Sequence, residues 1–414
     1  MRQTVKRQFD GLPREVATVS AIAFCVALGY GIVAPVLPVF AESFGVSAFA
    51  ASAVISLFAF MRFVSATPSG WLVNRFGERW VLGVGLSIVS VSSAFAGLAQ
   101  TYPQLLILRA LGGTGSAMFT VAAMSLLLHK VDSEHRGRAT SLYQGGFLFG
   151  GLAGPAVGGL VVHFSIRAPF FVYSATLLGA VLTALLTLEK LPKQVEVAKQ
   201  TADQQSVVLQ VSDALKLHPY RTALSVNLVT SLTSFSLRIS LIPLFVIEVL
   251  NRDTRTASIS FLISSIVQAI MLPMTGKLID TKGRRPALII GSAVLTIALG
   301  ALTFGQSLIT LYLSMVLFGA SAAYLGAAPS AIVGDLVKKQ KGGQVIGLFQ
   351  MVGDFGVIIG PLLMGYLKDA TAGYLIPFAT ATAISTIGLI MAITTPETKQ
   401  SDSEENSDYN PIKS

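Results

Sequence analysis

Apolar residues in this chain run in long unbroken blocks, such as Ile55 to Phe60 and Val81 to Ala99, divided by short polar segments that hold most of the lysines and arginines. A helix needs about 20 such residues to cross a bilayer, whereas a porin-type strand alternates and needs only about ten. The pattern predicts twelve membrane-spanning helices, starting near residues 17, 48, 80, 103, 137, 168, 220, 256, 286, 307, 343 and 373. It excludes an outer-membrane barrel. The first block follows Arg2, Lys6, Arg7 and Arg14 and superficially resembles a signal peptide, but its apolar run continues to Phe40, so it is expected to remain as helix 1.

Composition agrees: of 414 residues, 52% are hydrophobic and 12% charged, and the mean hydropathy is +0.68, values that do not fit a water-soluble chain. The net charge of +9 does not indicate nucleic-acid binding, because the cations lie in clusters between apolar blocks. On the twelve-helix reading, 23 Lys and Arg residues fall in the termini and the loops on their side, against four in the opposite loops, Arg167, Arg252, Arg255 and Lys368. That asymmetry predicts cytoplasmic termini in the inner, cytoplasmic cell membrane, with the lipid bilayer as permanent partner. The lone cysteine, Cys25, leaves no intrachain disulfide and no cysteine metal cluster.

The expected organisation is a cytoplasmic segment over 1–16, a six-helix half over 17–189, a polar cytoplasmic linker over 190–219, a second half over 220–395 and a disordered acidic tail over 396–414. Within the linker, Ser212, Asp213 and Leu215 suggest a capped amphipathic turn. An offset of 206 aligns the halves without a gap: Gly70, Leu72, Gly77 and Arg79 meet Gly276, Leu278, Gly283 and Arg285, and Gly150, Gly154, Pro155 and Gly159 meet Gly356, Gly360, Pro361 and Gly365. Parallel repeats of this kind imply an all-α bundle with a pseudo-twofold axis along the membrane normal and a cavity at the midplane.

The loop after the second block reads Gly70-Trp-Leu-Val-Asn74-Arg75-Phe-Gly77-Glu-Arg79, and its repeat carries Asp280, Gly283, Arg284 and Arg285. Here the chain resembles the major facilitator superfamily, whose signature is G-x-L-x-D-R-x-G-R-R. In that family the loop aspartate takes part in a cytoplasmic charge lock; the first-half position is Asn74, so the resemblance implies a lock there that relies on hydrogen bonds or is weaker. Helix 5 carries Gly150, Gly154, Pro155, Gly158 and Gly159, similar to the antiporter motif of the drug/proton antiporter branch, while symmetric close packing also explains the pattern. Helix 1 holds Pro35 and Pro38, similar to the opening of bacterial drug-efflux members, and helix 7 echoes it with Pro243 after Arg238.

Four ionised side chains fall well inside blocks: Arg62, Arg109, Arg238 and Asp354. Such groups are costly in hydrocarbon, face a cavity or one another, and are candidates for proton coupling. Arg62 lies about 21 Å below the outer end, too deep to snorkel, and Arg62 and Asp354 are expected to approach each other. Arg109 stands close enough to an outer end to snorkel, although its context resembles the family's helix 4 pattern linked to proton coupling. As the single acid well inside a span, Asp354 is the expected coupling carboxylate. Tyr30, Phe119, Phe235, Tyr324 and Met118 are expected to line a cavity suited to lipophilic substrates. The four histidines lack metal-ligand spacing, and neither a phosphate loop nor a nucleophile elbow occurs, so no cofactor and no enzyme activity are expected. The reading that results is a monomeric proton-coupled exporter of amphipathic or drug-like molecules. Its alternatives are a carrier for a sugar, amino acid or other small metabolite, and a non-transporting receptor on the same fold.

Overall fold

Two glycines set the turns on which both halves are built. Gly77 (φ 84°) and Gly283 (φ 99°) adopt backbone angles that side-chain-bearing residues disfavour, and each reverses the chain from one long helix directly into the next. The computed structural model describes residues 12–131, 135–188, 210–337 and 343–398. Most of the 190–219 linker and 396–414 tail, and residues 1–11 of the N-terminal segment, lie outside the described residues.

In the first half the long helices are α1 (Arg14–Val33), α2 (Ala48–Phe76), α3 (Glu78–Leu98), α4 (Tyr102–Lys130), α5 (Arg136–Val161) and α6 (Ala168–Thr187). The second half supplies α7 (His218–Glu248), α8 (Thr254–Lys282), α9 (Arg284–Phe304), α10 (Leu308–Val337), α11 (Gly343–Thr371) and α12 (Leu375–Thr394). Among the described residues, eleven of these helices have the length and apolar content to cross a membrane. The remaining one, α5, is 26 residues long, enough for a crossing, and its eight glycines dilute its apolar average.

Local chemistry explains the boundaries. Ser47 and Asp253, repeat mates at the 206 offset, accept hydrogen bonds from Ala50 N (3.4 Å) and Thr256 N (3.0 Å) and so cap α2 and α8. Proline opens α4, α6 and α7 at a position where its missing N–H costs nothing. The first apolar block breaks where its prolines allow: it turns at residues 34–36, around Pro35, and resumes as a short helix, Leu37–Glu42. The structure corrects one expectation. In the linker, Val211–Ala214 does form a helical turn, but no side chain caps it; Asp213 instead pairs with Lys216 at 2.8 Å.

Packing repeats along with the sequence. In the first half α3 packs on α4 and α6, α2 on α4, and α1 on α5; the second half repeats each contact through α9 on α10 and α12, α8 on α10, and α7 on α11. Glycine makes the α1–α5 approach close, since a Cβ on Gly154 would sit 2.6 Å from Gly31 Cα and one on Gly150 would sit 2.3 Å from Phe24 O. Gly356 and Gly360 do the same for α11 against α7. Each half has its own buried core, and the residues that reach into the opposite core include Ala34, Ala48 and Ile239. Between the halves, the principal helix pairs are α2 with α11 and α5 with α8.

Candidate functional site

Tyr30 packs against the cores of both halves, which places it at the centre of the bundle. Its ring lies 6.2 Å from Phe58 of α2, and its hydroxyl stands within the electrostatic field of Arg62, Arg109 and Arg238. Three of the four intramembrane charges expected from the sequence therefore surround one aromatic residue.

Arg62 of α2 and Asp354 of α11 form an ion pair between the halves, as their depths suggested. Both side chains stay about a third exposed, 38% and 32%, although the pair lies in the middle of the spans. Arg109 does not snorkel. It is 3% exposed, its guanidinium lies over the Phe58 ring at 4.5 Å, and its Nε has no hydrogen-bond partner. Tyr173 of α6 shares its surroundings, held close to α1 because Gly29 has no side chain. On the other side Arg238 donates to Ser264 Oγ of α8 at 3.3 Å. Among the described residues, neither Arg109 nor Arg238 has a carboxylate partner.

One feature of this region left no mark in the apolar pattern. In α7, residues Ser231–Phe235 form a π turn, just ahead of Arg238. Ser236 Oγ donates to Ser231 O at 2.8 Å across the widened turn, and the π turn packs on Gly356 of α11. Turns of this type are rare and concentrate at functional sites. The cavity aromatics divide: Tyr30, Phe235 and Tyr324 are partly exposed, whereas Met118 and Phe119 are 8% and 1% exposed and belong to the first half's interior. Phe119 faces Phe147 of α5 at 6.1 Å, and Met118 packs against Gly85 of α3, so α4 turns these two residues inward, away from the space between the halves.

The two ends of the bundle differ. At the end where the described chain starts and finishes, called here the basic end, three ion pairs among the described residues each lie within one half: Lys130 with Glu15 (2.8 Å), His129 Nδ1 with Glu78 (2.7 Å) and Arg284 with Asp335 (2.8 Å). Arg79 donates to Leu185 O, and Glu397 accepts from the Arg284 and Arg285 amides at 2.8 and 3.0 Å, capping α9. Asn74 and Asp280, the signature-loop positions, are exposed, and Arg75 stacks on its neighbours Trp71 and Phe76 at 5.4 and 5.7 Å. Asp280 forms no ion pair among the described residues.

At the far end the halves are tied together. Asp369 of α11 accepts from the Ala48 and Phe49 amides at 3.1 and 2.8 Å, and Arg255 of α8 reaches His163 Nδ1, just past α5, at 2.6 Å. These contacts are repeat mates: the offset of 206 takes His163 to Asp369 and Phe49 to Arg255. Gly159 and Gly365, also mates, allow the accompanying close approaches to Ser258 and to Ala48. Glu42 and Glu248 form a third mated pair and meet beside Lys368, which binds Glu248 at 3.0 Å. Burial, then the neighbouring Glu248 carboxylate, push the Glu42 pKa up to about 7. None of Glu42, Glu248 and Asp369 stands out from the sequence as a site residue, although applying the repeat offset to charges as well as glycines pairs Glu42 with Glu248.

Two six-helix repeats that meet at the far end and midway, with charges along the seam, give the architecture of a membrane transporter. The sequence profile of the Major Facilitator Superfamily matches residues 19–253 and again 224–413, and the chain belongs to that family. It is a multi-pass membrane protein that transports small molecules. Among curated proteins it is 25% identical over 377 residues to multidrug resistance protein 2 of Bacillus subtilis (strain 168), covering 89% of this chain and 92% of that one. It is 26% identical over 366 residues to the multidrug resistance protein MdtG of Enterobacter lignolyticus (strain SCF1), covering 85% and 84%. Among solved structures, a bacterial homologue of the human lysosomal transporter Spinster, inward-facing and occupied, aligns with TM-score 0.73 at 15% identity over 91% of this chain and 94% of that one. The nucleoside transporter NupG (D323A mutant) aligns with TM-score 0.68 at 15% identity over 92% and 99%. At these identities the two structures speak to the fold alone.

Proposed function

We propose that the protein is a proton-coupled exporter of amphipathic or drug-like molecules, acting as a monomer in the cytoplasmic membrane with both termini inside. The Arg62–Asp354 ion pair carries this reading, because it joins α2 to α11 across the seam at mid-membrane depth. An ionised Asp354 holds Arg62 and with it the opposite half; a protonated Asp354 loses the charge attraction, so the two helices separate or re-pack at lower cost. Proton binding thereby changes the balance between the two states, which is what coupling requires. The charge asymmetry supports a cytoplasmic basic end, and with that orientation the bundle here is closed to the outside. Export agrees with the multidrug resistance proteins among the relatives.

The test is Asp354→Asn in proteoliposomes. The variant retains counterflow of a transported drug and loses accumulation driven by a pH gradient. Wild-type accumulation at equal protein content defeats the assignment.

A further inference from the structure

Arg109 and Arg238 are charged, lie within the membrane-spanning helices, and among the described residues have no acid to pair with. Holding an unpaired guanidinium away from water costs several kcal/mol in general. The compensation visible for Arg109 is the π face of Phe58 and the nearby Tyr30 and Tyr173 hydroxyls; for Arg238 it is one serine hydroxyl. Asp354, the sole acid well inside the spans, is committed to Arg62. The middle of the bundle therefore carries three cations and one anion, and Arg109 has a buried Nε with nothing to donate to.

We propose that Arg109 and Arg238 form an anion-binding site between the halves, so that the substrates are amphipathic anions carrying a carboxylate, sulfonate or phosphoryl group. The site rests on the exporter reading above and specifies its substrate class. A guanidinium offers planar paired donors that match such groups, and the bond is charge-assisted on both sides. Tyr30 and Phe235, both partly exposed, supply apolar surface for the body of the molecule. Arg109 belongs to α4 and Arg238 to α7, so one anion seated between them touches both halves. Its departure leaves two cations around Tyr30 without a counter-charge, a state that favours parting the halves. The π turn Ser231–Phe235 lies three residues before Arg238 in the same helix, and turns of this type concentrate at functional sites.

The experiment is equilibrium binding to the full chain in lipid nanodiscs, using three radiolabelled probes with one body: 2-naphthoate, 2-naphthamide and (2-naphthylmethyl)trimethylammonium. The wild type binds naphthoate at least about tenfold tighter than the amide and binds the ammonium weakest. Arg109→Gln and Arg238→Gln each weaken naphthoate by about tenfold or more and leave the amide within about twofold, and Arg238→Lys restores part of the preference. Because Arg109 is buried and its replacement can unfold the protein, the Arg238 variants carry the test alone if Arg109→Gln is not monodisperse. Ammonium binding equal to or tighter than naphthoate, no naphthoate binding at millimolar concentration, or an unchanged preference in the Arg238→Gln variant overturns the proposal. The two readings fail separately. If the ammonium probe is extruded while naphthoate does not bind, the exporter stands and the anion site falls. If naphthoate binds as expected but no probe moves across the membrane, the site stands and the exporter falls.

Discussion

The two ends of the bundle use their charged groups in different ways. At the basic end the ion pairs among the described residues lie within one half, as Arg284 with Asp335 and Lys130 with Glu15. At the far end contacts across the seam stand beside those within a half, as Asp369 binds α2 and Arg255 meets His163. Contacts within a half stabilise a rigid body and are indifferent to how the halves are placed. Contacts across the seam exist in one arrangement only, so their strength sets the population of that arrangement. The comparison assigns stability to one end and conformational choice to the other.

Adding bulk where the seam is tightest should have the largest effect. A Cβ on Gly365 would already lie 2.8 Å from Ala48 O and 2.9 Å from Phe49 Cα, so Gly365→Leu forces α2 and α11 apart. Overpacking costs about 1–3 kcal/mol, which raises opening of the far end by about fivefold or more. The measurement is reaction of a thiol placed at Ser52, fully buried in this arrangement, with an impermeant reagent in a Cys25→Ala background. An unchanged rate means that the α2–α11 contact is not what closes this end.

Next in size is a pH effect at the acid pair. In the closed arrangement Glu42 has its pKa raised to about 7 by burial and by Glu248 and Asp369, against the opposing pull of Lys368. A raised carboxyl pKa favours the protonated form, so the closed far end is fully favoured below the ordinary carboxylate pKa and loses that advantage as pH rises through about 7. Spin labels on Phe164 and Arg252 should report a larger short-distance population at pH 6 than at pH 8. Glu42→Gln should remove the dependence, with Glu248, Lys368, Asp369 and Tyr374 still in place. A pH response that persists in the variant moves the titrating group elsewhere.

The smallest effect belongs to the basic end. Asp335→Asn breaks the pair with Arg284, a partly exposed contact inside the second half, at a cost of at most about 1 kcal/mol. A slightly lower thermal midpoint is expected with the label distances unchanged. Any shift in those distances means that the basic end also sets the conformation.

The one-dimensional pattern carries most of the architecture. Apolar blocks of bilayer length, glycines at the 206 offset and cations on one side of the alternation are local properties, and a membrane turns each of them directly into helix, turn and side. The repeat offset predicts that Gly77 and Gly283 do the same work, and their positive φ angles agree. The depth of Arg62 and Asp354 also follows from counting residues along a helix, because a buried charge in hydrocarbon has few partners from which to choose.

Which way α4 rotates about its axis is a different matter. Met118 and Phe119 have the composition of a cavity wall, yet they face the interior of the first half, and Arg109 two to three turns earlier is shielded from the interface to which it has the length to snorkel. Apolar blocks without amphipathic contrast do not encode which face meets a neighbour, so packing against Gly85 and Phe58 decides it. The π turn at Ser231–Phe235 has no periodic signature, since one extra residue in a turn leaves the apolar content unchanged. Partner choice at the two ends depends on distances between residues such as Phe49 and Asp369, which the chain separates by 320 positions. Composition and spacing determined the helices, their order and their pairing by symmetry. Only tertiary packing decided which charges meet across the seam, because that depends on where two rigid bodies touch.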